Sequence, residues 1–327
     1  MAKYFVTGAT GFIGGEIVKQ LIGRGHRVVA LVRSPQKTGM LKALGVEIHA
    51  GDVTVPDTLT APMTGVDGVF HVAAWYKVGV EEPQAERINV DGTRHVLDAM
   101  RSLGVPRGVY TSTIAVFSDT RGMVPDETYQ YDGPHLSNYD RTKWRAHYQV
   151  ALPSIEAGLP LTIVMPGVVY GPGDTSGMHS ALVDLLRGRL PMTPARTAFC
   201  WSHIEDTARG HILAMEKGRP GEAYIITGPR HSFEEAFDLV ARLAKVRPPL
   251  LHPGPRVMRA TAALLEVAGR FVSLPPALTP EALRVLAGTT YFGSNEKAVR
   301  ELGFSARPLE EGMAQTIEHE LRALGRA

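Results

Sequence analysis

The chain has 327 residues, 44% of them apolar and 21% charged, with 35 basic and 33 acidic side chains and a formal net charge of +2. That length accommodates one large or two modest domains around a substantial core, and the balanced charge points to no nucleic-acid or membrane partner. A single cysteine, Cys200, excludes an intrachain disulfide framework, and with no signal-peptide pattern at the N-terminus a cytoplasmic location is expected.

Strand-like apolar runs alternate with helical patterns through the first half. In chain order the spacing predicts strand Lys3–Thr7, helix Phe12–Gly23, strand Arg27–Val32, helix Lys37–Leu44 and strands Val46–His49 and Gly68–Val72. Helix Pro83–Leu103, strand Gly108–Ser112, helix Tyr139–Ala157 and strand Leu161–Met165 follow, with Pro153 expected to kink the last helix or end it early. Strands this continuously apolar are buried on both faces, and such alternation builds an α/β fold with a parallel, doubly wound sheet.

Beyond Pro166 the texture changes. Gly171-Pro172-Gly173-Asp174 reads as a turn, Phe199–Lys217 as a helix and Ala223–Thr227 as a strand returning to the sheet. The C-terminal third is mostly helical: Ser232 and Glu235 form a capping-box pattern, Thr279-Pro280 and Ser294 mark helix starts, and Gly303 a stop. Arg247–Arg256, with its four prolines, is an ordered connector; Val257–Leu278 is an amphipathic helix over a pocket or core, with a membrane-surface helix as the lesser reading. The expected division is a dinucleotide-binding unit at 1–170, to which 199–228 returns, and a substrate-binding region at 171–198 and 229–327.

Gly8, Gly11 and Gly14 follow the first strand and open the first helix. Glycines there permit a tight turn and let backbone N–H groups approach a pyrophosphate at a helix N-terminus. The spacing is Gly-x-x-Gly-x-x-Gly, and Thr10, Phe12 and Ile13 share the cradle. An NAD site commonly places a carboxylate at the end of the second strand; here Arg33 stands there, with Lys37 and Lys42 nearby and no acid between Glu16 and Glu47. A guanidinium suits a 2′-phosphate, so NADP(H) is favoured and NAD(H) remains possible. Asp52, before Val53, either accepts a bond from the adenine amino group or is a plain turn residue.

Tyr139 and Lys143 are four residues apart, on one face of a helix. A nearby ammonium favours the phenolate and is expected to lower the phenol pKa, making Tyr139 a proton donor or acceptor. Thr113 closes the fifth strand, where its hydroxyl can meet the same substrate oxygen; its neighbour Ser112 faces the opposite way. Trp75, Tyr76 and Tyr170 line a pocket or simply pack. The twelve histidines form no tight ligand set, so no metal is expected.

In this order the motifs resemble the short-chain dehydrogenase/reductase superfamily in its extended branch, the NAD-dependent epimerase/dehydratase family. They are TGATGFIG at 7–14, Gly51-Asp52, HVAA at 71–74 and Asn89-Val90-Asp91-Gly92-Thr93. TST at 111–113, Tyr139-x-x-x-Lys143, Pro166 to Pro172, and Trp201 to Asp206 continue the set. The resemblance implies a Rossmann-type sheet with a smaller, mostly helical C-terminal substrate domain. It further implies a Thr113/Tyr139/Lys143 triad supported by Asn89, with Ala73, Ala74, Lys143, Pro166, Val168 and Val169 against the cofactor. A homodimer through the helices near 83–103 and 139–157 is implied as well. Met165 stands where many nucleotide-sugar enzymes carry Arg, and Arg33 where many carry an acid, which looks more like the dihydroflavonol-reductase-type carbonyl reductases.

The leading expectation is therefore an NADPH-dependent reductase of a small-molecule ketone or aldehyde. A nucleotide-sugar epimerase or dehydratase is the alternative, and a non-catalytic dinucleotide sensor a third.

Overall fold

The computed structural model describes all residues except 35, 37, 77–81, 270, 271, 273, 276, 277, 326 and 327. Its strands are β1 (Lys3–Thr7), β2 (Arg27–Val32), β3 (Glu47–Ala50), β4 (Gly68–His71), β5 (Gly108–Thr111) and β6 (Leu161–Pro166), followed by β7 (Val168–Tyr170), β8 (Ala198–His203), β9 (Ala223–Ile226), β10 (Arg230–Ser232) and β11 (Thr290–Tyr291). The first seven helices are α1 (Phe12–Gly23), α2 (Gly39–Ala43), α3 (Asp57–Met63), α4 (Glu82–Glu86), α5 (Gly92–Ser102), α6 (Asn138–Arg145) and α7 (Leu152–Glu156). The C-terminal half holds α8 (Gly177–Leu186), α9 (Ile204–Lys217), α10 (Phe233–Ala244), α11 (Pro255–Ala268), α12 (Pro280–Val285), α13 (Glu296–Leu302) and α14 (Leu309–Ala323).

Seven parallel strands form the central sheet in the order β3-β2-β1-β4-β5-β6-β9. The order reverses between β1 and β4, and a crevice at such a switch point is where open α/β sheets bind ligands. Alternate residues along each strand enter opposite layers. Phe5, Val29, Val69 and Ile163 join the core under α5 and the 146–151 segment, while Val6, Val28, Phe70 and Val164 join the core under α1 and α9. Burial on both faces explains why the strands read as unbroken apolar runs.

Two long helices on one face each contain a wide π turn. Residues Arg87–Asp91 link α4 to α5, and Ala146–Ala151 link α6 to α7. Pro153 does not end the helix early, which continues to Glu156; a wider π turn lies just before it. A proline has no N–H for the preceding turn, and loosening that turn accommodates it.

The stretch expected to be helical from Phe199 begins as β8, and the helix starts only at Ile204. β8 is the centre of a second small sheet, flanked by β10 and β11 and also paired with β7. The capping box at Ser232/Glu235, the Thr279 cap with Pro280 in the first turn, and the left-handed Gly303 stop are all present. α11 ends at Ala268 and buries only Met258 and Ala262, so little of it serves as the core cover that its composition suggested.

Candidate active site

The site assembles where β1, β4, β5 and β6 end. Gly8 takes φ +72°, and a Cβ there would lie 2.8 Å from Ala73 N; a Cβ on Gly14 would lie 2.2 Å from the Gly8 carbonyl oxygen. Only hydrogen fits at these positions, which leaves open backbone at the start of α1, where Gly11 is an N-cap with no side chain closing it. Such a helix end offers N–H groups and a favourable dipole to an anion, so the cradle fits a pyrophosphate. Thr10, Phe12 and Ile13 lie within this turn. Thr7 Oγ1 accepts from Val72 N and Ala73 N at 3.1 and 3.2 Å, tying the cradle to the segment holding Ala73 and Ala74.

Arg33 follows β2 directly, is exposed, and has no acidic partner among the described residues. Lys37 lies outside the described residues. Asp52 Oδ1 accepts from Thr54 N at 2.8 Å, the local turn role; Val53 is buried with its carbonyl on His95 Nδ1.

Ser137 caps α6 by accepting from Asp140 N, which starts the helix two residues before Tyr139. Thr113, in extended conformation just past the end of β5, accepts from Ala115 N at 3.1 Å and lines one cavity with the Tyr139 phenol. Ser112 turns the other way, to His147 Nδ1 at 2.8 Å. Lys143 is buried and donates to the Thr111 carbonyl at 2.6 Å and to Tyr110 Oη at 3.1 Å.

Burial outweighs the expected tuning of the phenol. It pushes Tyr139 up to about 12, against the opposing pull of the neighbouring Thr113 hydroxyl, and pulls Lys143 down to about 7. A lysine turned to Tyr110 and Thr111, and easily neutralised, does little for the phenolate. Asn89, in the first π turn, accepts from Trp75 N and donates to Trp75 O and Thr142 Oγ1, so it clamps the segment after β4 to α6.

A cavity of about 210 Å³ opens onto Thr113 and Tyr139. Gly167 and Val168 line it beyond Pro166, next to Val169, while the C-terminal part adds Phe199, Val285 and Tyr291. Tyr76 stands half exposed at its wall. Tyr170 instead packs edge-on against Trp201 and His203. Asp140 and Tyr291 are among the wall residues not anticipated as site residues. Asp140 is buried and accepts from Ser137 Oγ at 2.8 Å and from Tyr291 Oη at 2.9 Å, and burial raises its carboxyl to about 7. Its place directly after Tyr139 was a signal; Tyr291, 151 residues away from Asp140, gave none.

A parallel sheet with a glycine cradle at its switch point, and a hydroxyl–phenol–lysine group beside it, defines an NAD(P)-binding Rossmann-type protein of the extended short-chain dehydrogenase/reductase class. The chain belongs to the NAD dependent epimerase/dehydratase family, whose model matches residues 4–227. It is 31% identical to a putative dihydroflavonol 4-reductase of Synechocystis sp., over 96% of this chain and 93% of that one. It is also 31% identical to the 4-hydroxy-2-methyl-3-oxo-4-farnesyl-3,4-dihydroquinoline-1-oxide ketoreductase of Stigmatella aurantiaca, over 93% of this chain and 92% of that one. Among solved structures, that of gox2253 superposes with a TM-score of 0.86 at 32% identity, covering 100% of this chain and 99% of the other.

Proposed function

We infer that the protein reduces the carbonyl group of an uncharged, largely apolar ketone or aldehyde with NADPH. The observation that carries this is the cavity wall. Among its described residues there is no Lys or Arg to neutralise a diphosphate, and the one ionisable carboxyl, Asp140, favours a neutral ligand. A nucleotide sugar would bring two negative charges into that wall. The relatives named as reductases of a dihydroflavonol and of a farnesylated quinoline oxide agree with an apolar carbonyl substrate.

The residues present fit a dinucleotide. Gly8, Gly11 and Gly14 would receive its pyrophosphate, Arg33 a 2′-phosphate, and Lys143 the ribose next to the nicotinamide. When bound, that group supplies a hydride to the carbonyl carbon. Tyr139, held protonated with a pKa of about 12, donates its proton to the carbonyl oxygen, and Thr113 orients both oxygens by hydrogen bonding. Phe199, Val285 and Tyr291 exclude water from the substrate's apolar part. The same reading includes a homodimer through the helices at 82–102 and 138–156, which the Arg145–Glu86 ion pair holds side by side.

The test is a panel of ketones, aldehydes and UDP-sugars assayed with NADPH and with NADH. The expected outcome is steady NADPH consumption with an apolar carbonyl compound, lost by a factor of about a hundred or more in Tyr139→Phe while NADPH affinity is kept. UDP-sugar turnover without net cofactor loss would replace this reading with epimerase or dehydratase chemistry. Full activity in Tyr139→Phe would remove the assigned proton donor.

A further inference from the structure

Between Asp238 and Glu266 the chain carries five basic side chains, Arg242, Lys245, Arg247, Arg256 and Arg259, and no acidic one. All five are exposed. The same stretch holds the most exposed large aliphatic residues of the C-terminal region: Leu250 is 86% exposed and Leu264 70%.

α11 is apolar on two opposite sides. Its inner side, Met258 and Ala262, packs on Leu283 and Ala287 around α12. Its outer side carries Val257, Ala260, Leu264 and Val267, whose spacing of three, four and three residues aligns them along one face. All four are exposed and Arg256 flanks them, while Arg259 Nη2 donates to the Ala287 carbonyl on the α12 side. An apolar stripe left in water loses the stabilisation that burial gives, and on a soluble surface such a stripe marks a contact.

The charge pattern selects the occupant. A second copy meeting this face across a two-fold axis would bring the same basic residues together, and the one acid on α11, Glu266, is already paired with Arg284. An anionic lipid surface meets both properties at once, taking aliphatic side chains into its acyl boundary and basic ones at its headgroups. The position also matters, because α12 contributes Val285 to the candidate substrate cavity while packing on α11.

We propose that the outer face of α11, together with Leu250 and the flanking basic side chains, seats the protein on an anionic lipid surface beside the entrance of its substrate cavity. The seat is peripheral, since no described helix is long and apolar enough to cross a membrane. It takes up the lesser sequence reading of Val257–Leu278, a membrane-surface helix, against the expectation of no membrane partner. Lipid seating does not depend on which reaction the site performs, so its test is read by sedimentation and not by turnover.

The full chain is mixed with vesicles of phosphatidylcholine plus phosphatidylglycerol, and separately with vesicles of phosphatidylcholine alone. The expected result is co-sedimentation with the mixed vesicles, weakening as salt rises and much reduced on the neutral ones. Arg256→Glu lowers partitioning roughly fivefold or more. The pair Val257→Ser with Leu264→Ser lowers it roughly tenfold or more, with an unchanged melting temperature. The proposal is overturned if the wild type stays in the supernatant with both vesicle types, or if both variants partition like the wild type. It is equally overturned if light scattering shows the serine pair breaking a wild-type dimer while vesicle binding persists, which would assign the face to a second copy.

Discussion

Tyr110 sits one residue before Thr111 and two before Ser112, yet its hydroxyl, not theirs, reaches the lysine. The directions of the hydrogen bonds around its stacking partner, His71, follow from donor counting. Thr7 Oγ1 accepts two backbone N–H bonds, so its own proton goes to His71 Nδ1, 2.8 Å away. Burial holds His71 neutral, with a pKa near 3, so its remaining proton is on Nε2 and is donated to Thr93 Oγ1 at 3.0 Å. Thr93 spends its proton on the Asn89 carbonyl at 2.6 Å. The Tyr110 hydroxyl accepts from Lys143 Nζ at 3.1 Å, and its ring stacks on His71. Hydrogen bonds and one ring stack thus link the residue before Gly8 to the lysine of the site.

Tyr110→Phe should leave the fold intact and remove one of the two acceptors of the buried ammonium. Nucleotide affinity is expected to weaken a few-fold, with its alkaline fall-off moving to lower pH, because Lys143 loses a partner that favours its charged form. Titrating the dissociation constant by fluorescence across pH checks this; an unchanged profile would reduce Tyr110 to packing. At this scale the glycines, Thr113, Tyr139 and Lys143 were legible because each belongs to a short motif. Tyr110, Asp140 and Tyr291 were not, because what they do is set by partners that reach them only through the fold.

Among elements, the sheet was the most legible part. β1, β2 and α1 have the boundaries their apolar patterns predict, since a strand buried on both faces leaves little ambiguity about its length. α3 was not foreseen: it is seven residues long, carries Pro62 inside, and has no side-chain cap. β8 was absorbed into the following helix because Phe199-Cys200-Trp201 runs into α9 without a turn residue, and a short apolar run does not declare its period. The strand-to-helix junction at the cradle yields the sharpest prediction at this scale. In Gly14→Ala the new methyl group would press on the Gly8 carbonyl, so α1 must move off β1. Stability should fall by roughly 1–3 kcal/mol, and binding of NADPH and NADH should weaken together, measurable by chemical denaturation and by fluorescence. Selective loss of NADPH alone would show that the strain is relieved elsewhere.

Over the whole molecule, one arginine ties the C-terminal segment to the sheet. Arg307 makes a two-pronged contact with Asp206 and reaches Glu205, at the start of α9, which holds Asp206 below the usual carboxylate range. The sequence resemblance marked the Trp201–Asp206 motif but named no partner for it, and Arg307 lies 101 residues beyond Asp206.

Four buried histidines set the acid limit of the molecule. Burial depresses His71 and His147 to about 3, and His203 and His211 to about 4. Each is neutral when folded, while an unfolded chain takes up their protons near pH 6.5, so the unfolded state binds more protons between those values. The stability they permit is complete above about pH 6.5 and declines as pH falls toward about 3. Urea unfolding at pH 7.5 and at pH 5 should show a clearly lower midpoint at the acid value; equal midpoints would mean that these rings are already protonated in the fold.

The small cluster of Met258, Ala262, Leu283 and Ala287 stands apart from the two large cores. A pair of helices fastened by so few side chains can part and re-form while the seven-stranded sheet stays closed. Backbone amides of α11 and α12 should therefore trade hydrogen for deuterium well before those of α5 or α9, and a ligand filling the cavity at Val285 should slow that exchange. The roof of the site and its most readily opened unit are then one and the same hairpin.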